Sequence, residues 1–258
     1  MAYSEMKLRV FIRQGIFSVY RRIVRGGLHV IRSDALGLLY LPVPKVGGST
    51  MRHAIFLAEN GIAYKDSHYA RDLHISRFYS RPRHWSTPSR IDRETGKRKI
   101  VIVRDPVARL LSCYADRVAK RKDIARDPVA RKEAQRNGLP VLPDVDTFMR
   151  FIDTYTEMCA SIRHHTVPQC KLIAEFVFLN GVEVVDLSQM GGLLQWMQEA
   201  SGVSGLDKHY KVTADHKRID FRSLSVEARR KLMEFVEEDF TLLERLGFDY
   251  RNRYADYE

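Results

Sequence analysis

The chain has 258 residues, 45% hydrophobic and 29% charged, the composition of an ordinary globular protein with a sizeable core. Its 43 Lys and Arg against 32 Asp and Glu leave a formal charge of +11, which suits a polyanionic partner such as nucleic acid, acidic polysaccharide, a phosphorylated cofactor or an anionic membrane face. Three widely spaced cysteines, Cys113, Cys159 and Cys170, with no C-x-x-C pair, argue against a disulfide framework or a zinc site, and no apolar run nears the roughly 20 residues that cross a bilayer.

Residues 1–35 read as a basic amphipathic N-terminal segment. Val10, Phe11, Ile16, Phe17, Tyr20 and Ile23 are interleaved with Arg9, Arg13, Arg21, Arg22 and Arg25, a pattern that either packs on its own domain or lies on an anionic membrane. Residues 36–258 are expected to form one domain. Its first strand is predicted at 37–43, where Leu38, Leu39, Tyr40 and Leu41 form a continuous apolar run ended by Pro42 and Pro44. A helix is predicted at 50–59, with Ser49 or Thr50 as its cap. Between them lies Lys45-Val46-Gly47-Gly48. A strand entering a glycine turn at a helix N-terminus gathers free backbone N–H groups where anions bind, and Lys45 adds a mobile charge. Lys45 precedes the glycines, so this is not a Walker A loop; an ordinary strand–turn–helix joint with a surface lysine has the same pattern.

Residues 79–98, rich in Arg, Pro and Ser, are expected to be irregular. The run Ile100, Val101, Ile102, Val103 predicts a second strand at 99–104, and Asp105-Pro106 then opens a helix over 106–122 through Leu110, Leu111, Tyr114 and Val118. Arg104 falls at the carboxyl end of that strand. Ligands of open α/β sheets collect at such ends, so the turns around Lys45 and Arg104 can face one crevice. Further on, 123–146 is expected to be an irregular loop, a third strand is predicted at 182–187, and helices are predicted at 147–160, 189–201 and 225–245. Strands alternating with helices favour a central parallel sheet.

The motif "PKVGGST" at 44–50 resembles the phosphosulfate-binding loop of sulfotransferases, and "IVRDPVARLLSCY" at 102–114 resembles their 3′-phosphate motif. "HHTVPQCKLI" at 164–173 is similar to a His-x-x-Pro-Gln element of that family, and "VEEDFTLLERLGFD" at 236–249 to its closing helix. The chain thus resembles a carbohydrate-type, bacterial-like sulfotransferase over residues 36–250. The resemblance implies a single α/β domain with a mostly parallel sheet flanked by helices, related to nucleotide kinases. It also implies 3′-phosphoadenosine 5′-phosphosulfate (PAPS) as donor.

On that resemblance, the backbone N–H groups of Val46, Gly47, Gly48, Ser49 and Thr50, with the hydroxyls of the last two, would hold the 5′-phosphate. Arg104 and Ser112 would hold the 3′-phosphate, for which a guanidinium fork is suited. Lys45 would stabilise charge on the leaving oxygen. The general base would be His68 or His74, with His84 a weaker choice, while His164 and His165 would position the loop before Pro168. The scheme needs no metal. The expected acceptor is a carbohydrate hydroxyl, with a lipid headgroup or small molecule as alternative, and the expected location is cytoplasmic, with peripheral membrane contact through residues 1–35 left open. A nucleotide-dependent phosphotransferase is disfavoured by the missing Gly-Lys-Ser/Thr ending. A nucleic-acid-binding module is disfavoured because the basic stretches at 77–99 and 117–136 carry no RNA-binding aromatic signature.

Overall fold

A computed structural model describes residues 27–65, 75–80, 84–207 and 219–257. The basic segment read at the N-terminus therefore lies, apart from residues 27–35, outside the described residues. Among the described residues six strands form two sheets. Strands β1 (Leu28–His29) and β4 (Trp85–Ser86) make a short antiparallel pair. The main sheet has the order β2 (Ile31–Ser33), β3 (Leu38–Leu41), β5 (Arg98–Val103), β6 (Val182–Asp186); β2 runs antiparallel to β3, and β3, β5 and β6 run parallel. The sheet thus takes in residues on both sides of the 35/36 boundary.

The two predicted inner strands owe their place to continuous apolar runs, which suit strands covered on both faces. All four residues of β3 are buried, as are Ile100 to Val103 of β5. Lys99, also in β5, is buried too. Its Nζ donates to the carbonyls of Asp92 and Asn180, each at 3.0 Å, so the ammonium closes open backbone acceptors below the sheet.

Helices cover the sheet. They are α1 (Gly48–Asn60), α2 (Ile75–Phe78), α3 (Pro88–Arg93), α4 (Pro106–Cys113), α5 (Asp123–Arg126), α6 (Pro128–Arg136), α7 (Val145–Arg150), α8 (Ile152–Met158), α9 (Ala160–Thr166), α10 (Gln169–Val177), α11 (Met190–Ser201) and α12 (Val226–Arg245). Helix α11 packs on α1, α10 on β5 and β6, and α12 on α4, α7 and α10. The stripe Leu232, Val236, Phe240 and Leu243 of α12 is buried at helical spacing. Ser225 caps that helix by accepting from Ala228 N, and is itself fixed by both carboxylate oxygens of Asp146.

Several expectations need correction. Residues 123–146 are not one irregular loop, because α5 and α6 lie within them; likewise α3 lies within 79–98. The helix predicted over 147–160 is broken at Phe151, whose backbone (φ −112°, ψ 29°) is not helical. From Tyr114 to Lys120 the helix begun at Pro106 continues in π form. Two helices, α9 and α10, occupy a stretch where the sequence showed only a motif.

Candidate active site

The register of the parallel strands brings Leu41, Val103 and Asp186 to one edge of the sheet. The segments that leave this edge build the site. After β3 the chain turns through Lys45 (φ 68°) and Gly47 (φ 80°), both in the left-handed region. For Lys45 this costs of the order of 1 kcal/mol, a strain kept where surrounding contacts enforce it. At Gly47 the positive φ would strain any other residue, and a Cβ there would lie 2.5 Å from Met190 Cε and 3.0 Å from Leu187 Cδ1, so those side-chain ends would have to shift. Gly47 is also the N-cap of α1, and it has no side chain to satisfy the first amides. Ser49 and Thr50, expected as caps, instead lie inside the first turn. Arg52, one turn on, donates from Nη1 to Gly48 O at 3.0 Å and puts a guanidinium behind the loop.

Arg104 leaves β5 beside this turn. Its Nη1 donates to the carbonyl oxygen of Lys45 at 3.1 Å, so the two cationic turns, 59 residues apart in sequence, are in contact. Its backbone is held on both sides by the buried amide of Gln169, which accepts from Arg104 N (3.1 Å) and donates to Arg104 O (2.7 Å). Asp105 caps α4, its Oδ1 accepting from Val107 N and Ala108 N. Its other oxygen accepts from the Tyr254 hydroxyl at 2.8 Å and from Arg253 at 3.3 Å. Ser112 is half-buried on the last turn of α4.

Arg109 is fully buried beneath this turn. It donates to the carbonyls of His165, Thr166 and Val167 and faces Asp239 Oδ2 at 3.6 Å. Asp239 Oδ1 in turn accepts from Cys170 N at 2.8 Å. The segment that delivers Gln169 is therefore held by a buried guanidinium gripping its backbone.

Electrostatics tie further groups to the same crevice. Lys45 Nζ lies 2.9 Å from Asp116 Oδ2. Burial opposes ionisation of Asp116, but its hydrogen bond to Lys45 and the charges of Lys45 and Arg121 prevail and take its carboxyl down to about 2. Burial, with Arg117, His164 and Lys45, pushes His165 down to about 3, so its imidazole is neutral. The three cysteines are free and buried, and burial pushes the Cys113 thiol up to about 12.

Of the residues anticipated from sequence, Lys45, Val46, Gly47, Gly48, Ser49 and Thr50 lie on the turn and first helical turn after β3, and Arg104 touches that turn at the Lys45 carbonyl. His68 and His74 lie outside the described residues. His84 is buried in the wall near β1 and β4, its ring 5.4 Å from Tyr79 and 6.3 Å from His29. Arg109, Asp116 and Gln169 were missed as site-building residues. The Pro-Gln pair was a visible signal for the last, whereas the other two act through long-range contacts. Among the described residues no cluster of His, Cys, Asp or Glu could hold a metal, and no helix is long and apolar enough to cross a membrane.

A family model described as the sulfotransferase family matches residues 28–245. The chain belongs to the sulfotransferase family. The match runs from β1 to the last residue of α12, and so includes both turns and the segment that carries Gln169. Searches of curated proteins and of solved structures returned no match. As a sulfotransferase the protein is a transferase acting on a sulfuryl group.

Proposed function

We propose that this sulfotransferase transfers a sulfuryl group from PAPS to a hydroxyl of a carbohydrate acceptor. The observation that supports the reading is the 3.1 Å bond from Arg104 to the Lys45 carbonyl, which brings two cationic turns together, as a donor with phosphates at both ends of its ribose would need. Gly47 at φ 80°, an α1 N-terminus without a side-chain cap and the guanidinium groups of Arg52 and Arg104 fit such a donor. When bound, the donor supplies a sulfuryl group on a phosphate leaving group.

The residues then have distinct tasks. The amides of 46–50 hold the 5′-phosphate. Arg104, held against the Lys45 carbonyl, and Ser112 on α4 take the 3′-phosphate. Lys45 neutralises charge on the leaving oxygen, and His68 or His74 takes the acceptor proton. The strand–loop–helix of β3 and α1 supports the kinship with nucleotide kinases expected from the sequence.

A thermal-shift titration tests the reading. Adenosine 3′,5′-bisphosphate should raise Tm and ATP should not, because only a ligand of the native state stabilises it. Lys45→Ala should lower kcat by about 10²–10³ in a radiolabelled sulfuryl-transfer assay over carbohydrate and lipid acceptors. Equal stabilisation by ATP, or normal turnover by Lys45→Ala, would refute it.

A further inference from the structure

We infer that Asp116 is a positioning residue that parks the Lys45 ammonium in the donor-free enzyme and hands it over when the anionic donor arrives. The inference rests on the sulfuryl-transfer reading above. Three observations carry it. First, the Lys45 backbone cannot move freely: it is in the left-handed region and its carbonyl is bound by Arg104. What can change place is the side chain, and its Nζ is 2.9 Å from Asp116 Oδ2. Second, the pair is shielded, with side-chain exposures of 13% for Lys45 and 23% for Asp116, so water screens it less than a surface pair.

Third, Asp116 has a second cation that has no part in the chemistry. Arg121 Nε lies 3.0 Å from Asp116 Oδ1, and Arg121 N donates to the Asp116 carbonyl at 3.1 Å. The π-helical stretch from Tyr114 to Lys120 creates this arrangement, because its five-residue closure brings together two positions that an α-helix would turn apart. Arg121 thus keeps the carboxylate fixed and paired after Lys45 leaves. Without that second partner, release would strand a half-buried charge. Parking holds the ammonium off the anion loop until a negative group competes for it.

The test uses the full chain and two readouts. In donor-free protein, acetic-anhydride labelling of Lys45, read by mass spectrometry, should rise about fivefold in Asp116→Asn, the ratio expected on loss of one such pair, with Lys231 as an unchanged control. Calorimetric binding of adenosine 3′,5′-bisphosphate should tighten about fivefold in Asp116→Asn, weaken in Arg121→Gln, where Asp116 holds Lys45 harder, and respond less than twofold to Asp116→Asn in a Lys45→Ala background. A merely structural aspartate would lower Tm without these opposite signs. Unchanged Lys45 labelling, or a full-sized gain in binding that persists in Lys45→Ala, overturns the parking role. If the wild type binds no bisphosphate nucleotide, the proposed function falls, and the labelling result alone decides for or against the contact's role.

Discussion

The hexapeptide Arg-Asp-Pro-Val-Ala-Arg occurs twice, at 104–109 and at 126–131, and the two copies do different things. Locally they are alike. Asp105 Oδ1 accepts from Val107 N (3.0 Å) and Ala108 N (3.2 Å), and Asp127 Oδ1 accepts from Val129 N (2.9 Å) and Ala130 N (3.2 Å). Each proline takes the first helical position, where its missing N–H is no loss. Beyond that turn they diverge. The first copy follows a buried strand, its Val107 is fully buried, and its last arginine is the buried Arg109. The second follows the short α5, its Val129 is 66% exposed, and Arg126 and Arg131 face solvent. Six identical residues encode a capped helix start; the strand before them and the helix packed above them bury one copy against the Lys45 turn and leave the other a surface helix.

The comparison breaks first at the two final arginines. Arg109→Ala removes three carbonyl contacts and leaves Asp239 buried opposite a void, so it should lower unfolding free energy by about 3–5 kcal/mol in urea titrations. Arg131→Ala should stay within about 0.5 kcal/mol. A loss below about 1 kcal/mol for Arg109→Ala would mean that the buried grip on residues 165–167 adds little. The aspartates sharpen the contrast on a smaller scale. Asp127→Ala loses a cap, about 1 kcal/mol. Asp105→Ala loses the same cap plus the bonds from Tyr254 and Arg253 to its second oxygen, and should cost about 2 kcal/mol. Equal losses would show that the C-terminal turn adds nothing to the site.

The same contrast explains what could be read from sequence. Strand β5 was legible because Ile100 to Val103 form an unbroken β-branched run, and α11 and α12 because their apolar spacing persists over three turns or more. That the Lys45 and Arg104 turns meet followed from placing both at carboxyl ends of parallel strands. By contrast, 123–146 was expected to be an irregular loop, although Asp127-Pro128 within it is the start signal that was read correctly at Asp105-Pro106. The π form after Cys113 leaves the apolar spacing of Tyr114 and Val118 unchanged and so has no pattern of its own. Gln169, Arg109 and Asp116 act through contacts spanning 56 to 71 residues in Arg109–His165, Arg104–Gln169 and Lys45–Asp116, and no local rule reports these.

In the proposed function the first copy, through Arg104, forms one anion site with Lys45. The direct measurement is calorimetric binding of adenosine 3′,5′-bisphosphate to the wild type, Arg104→Ala and Arg126→Ala. Loss of a charge-assisted contact should weaken binding about tenfold or more in Arg104→Ala, with Arg126→Ala indistinguishable from wild type. Equal affinity in all three proteins, or equal losses in both variants, would contradict the account.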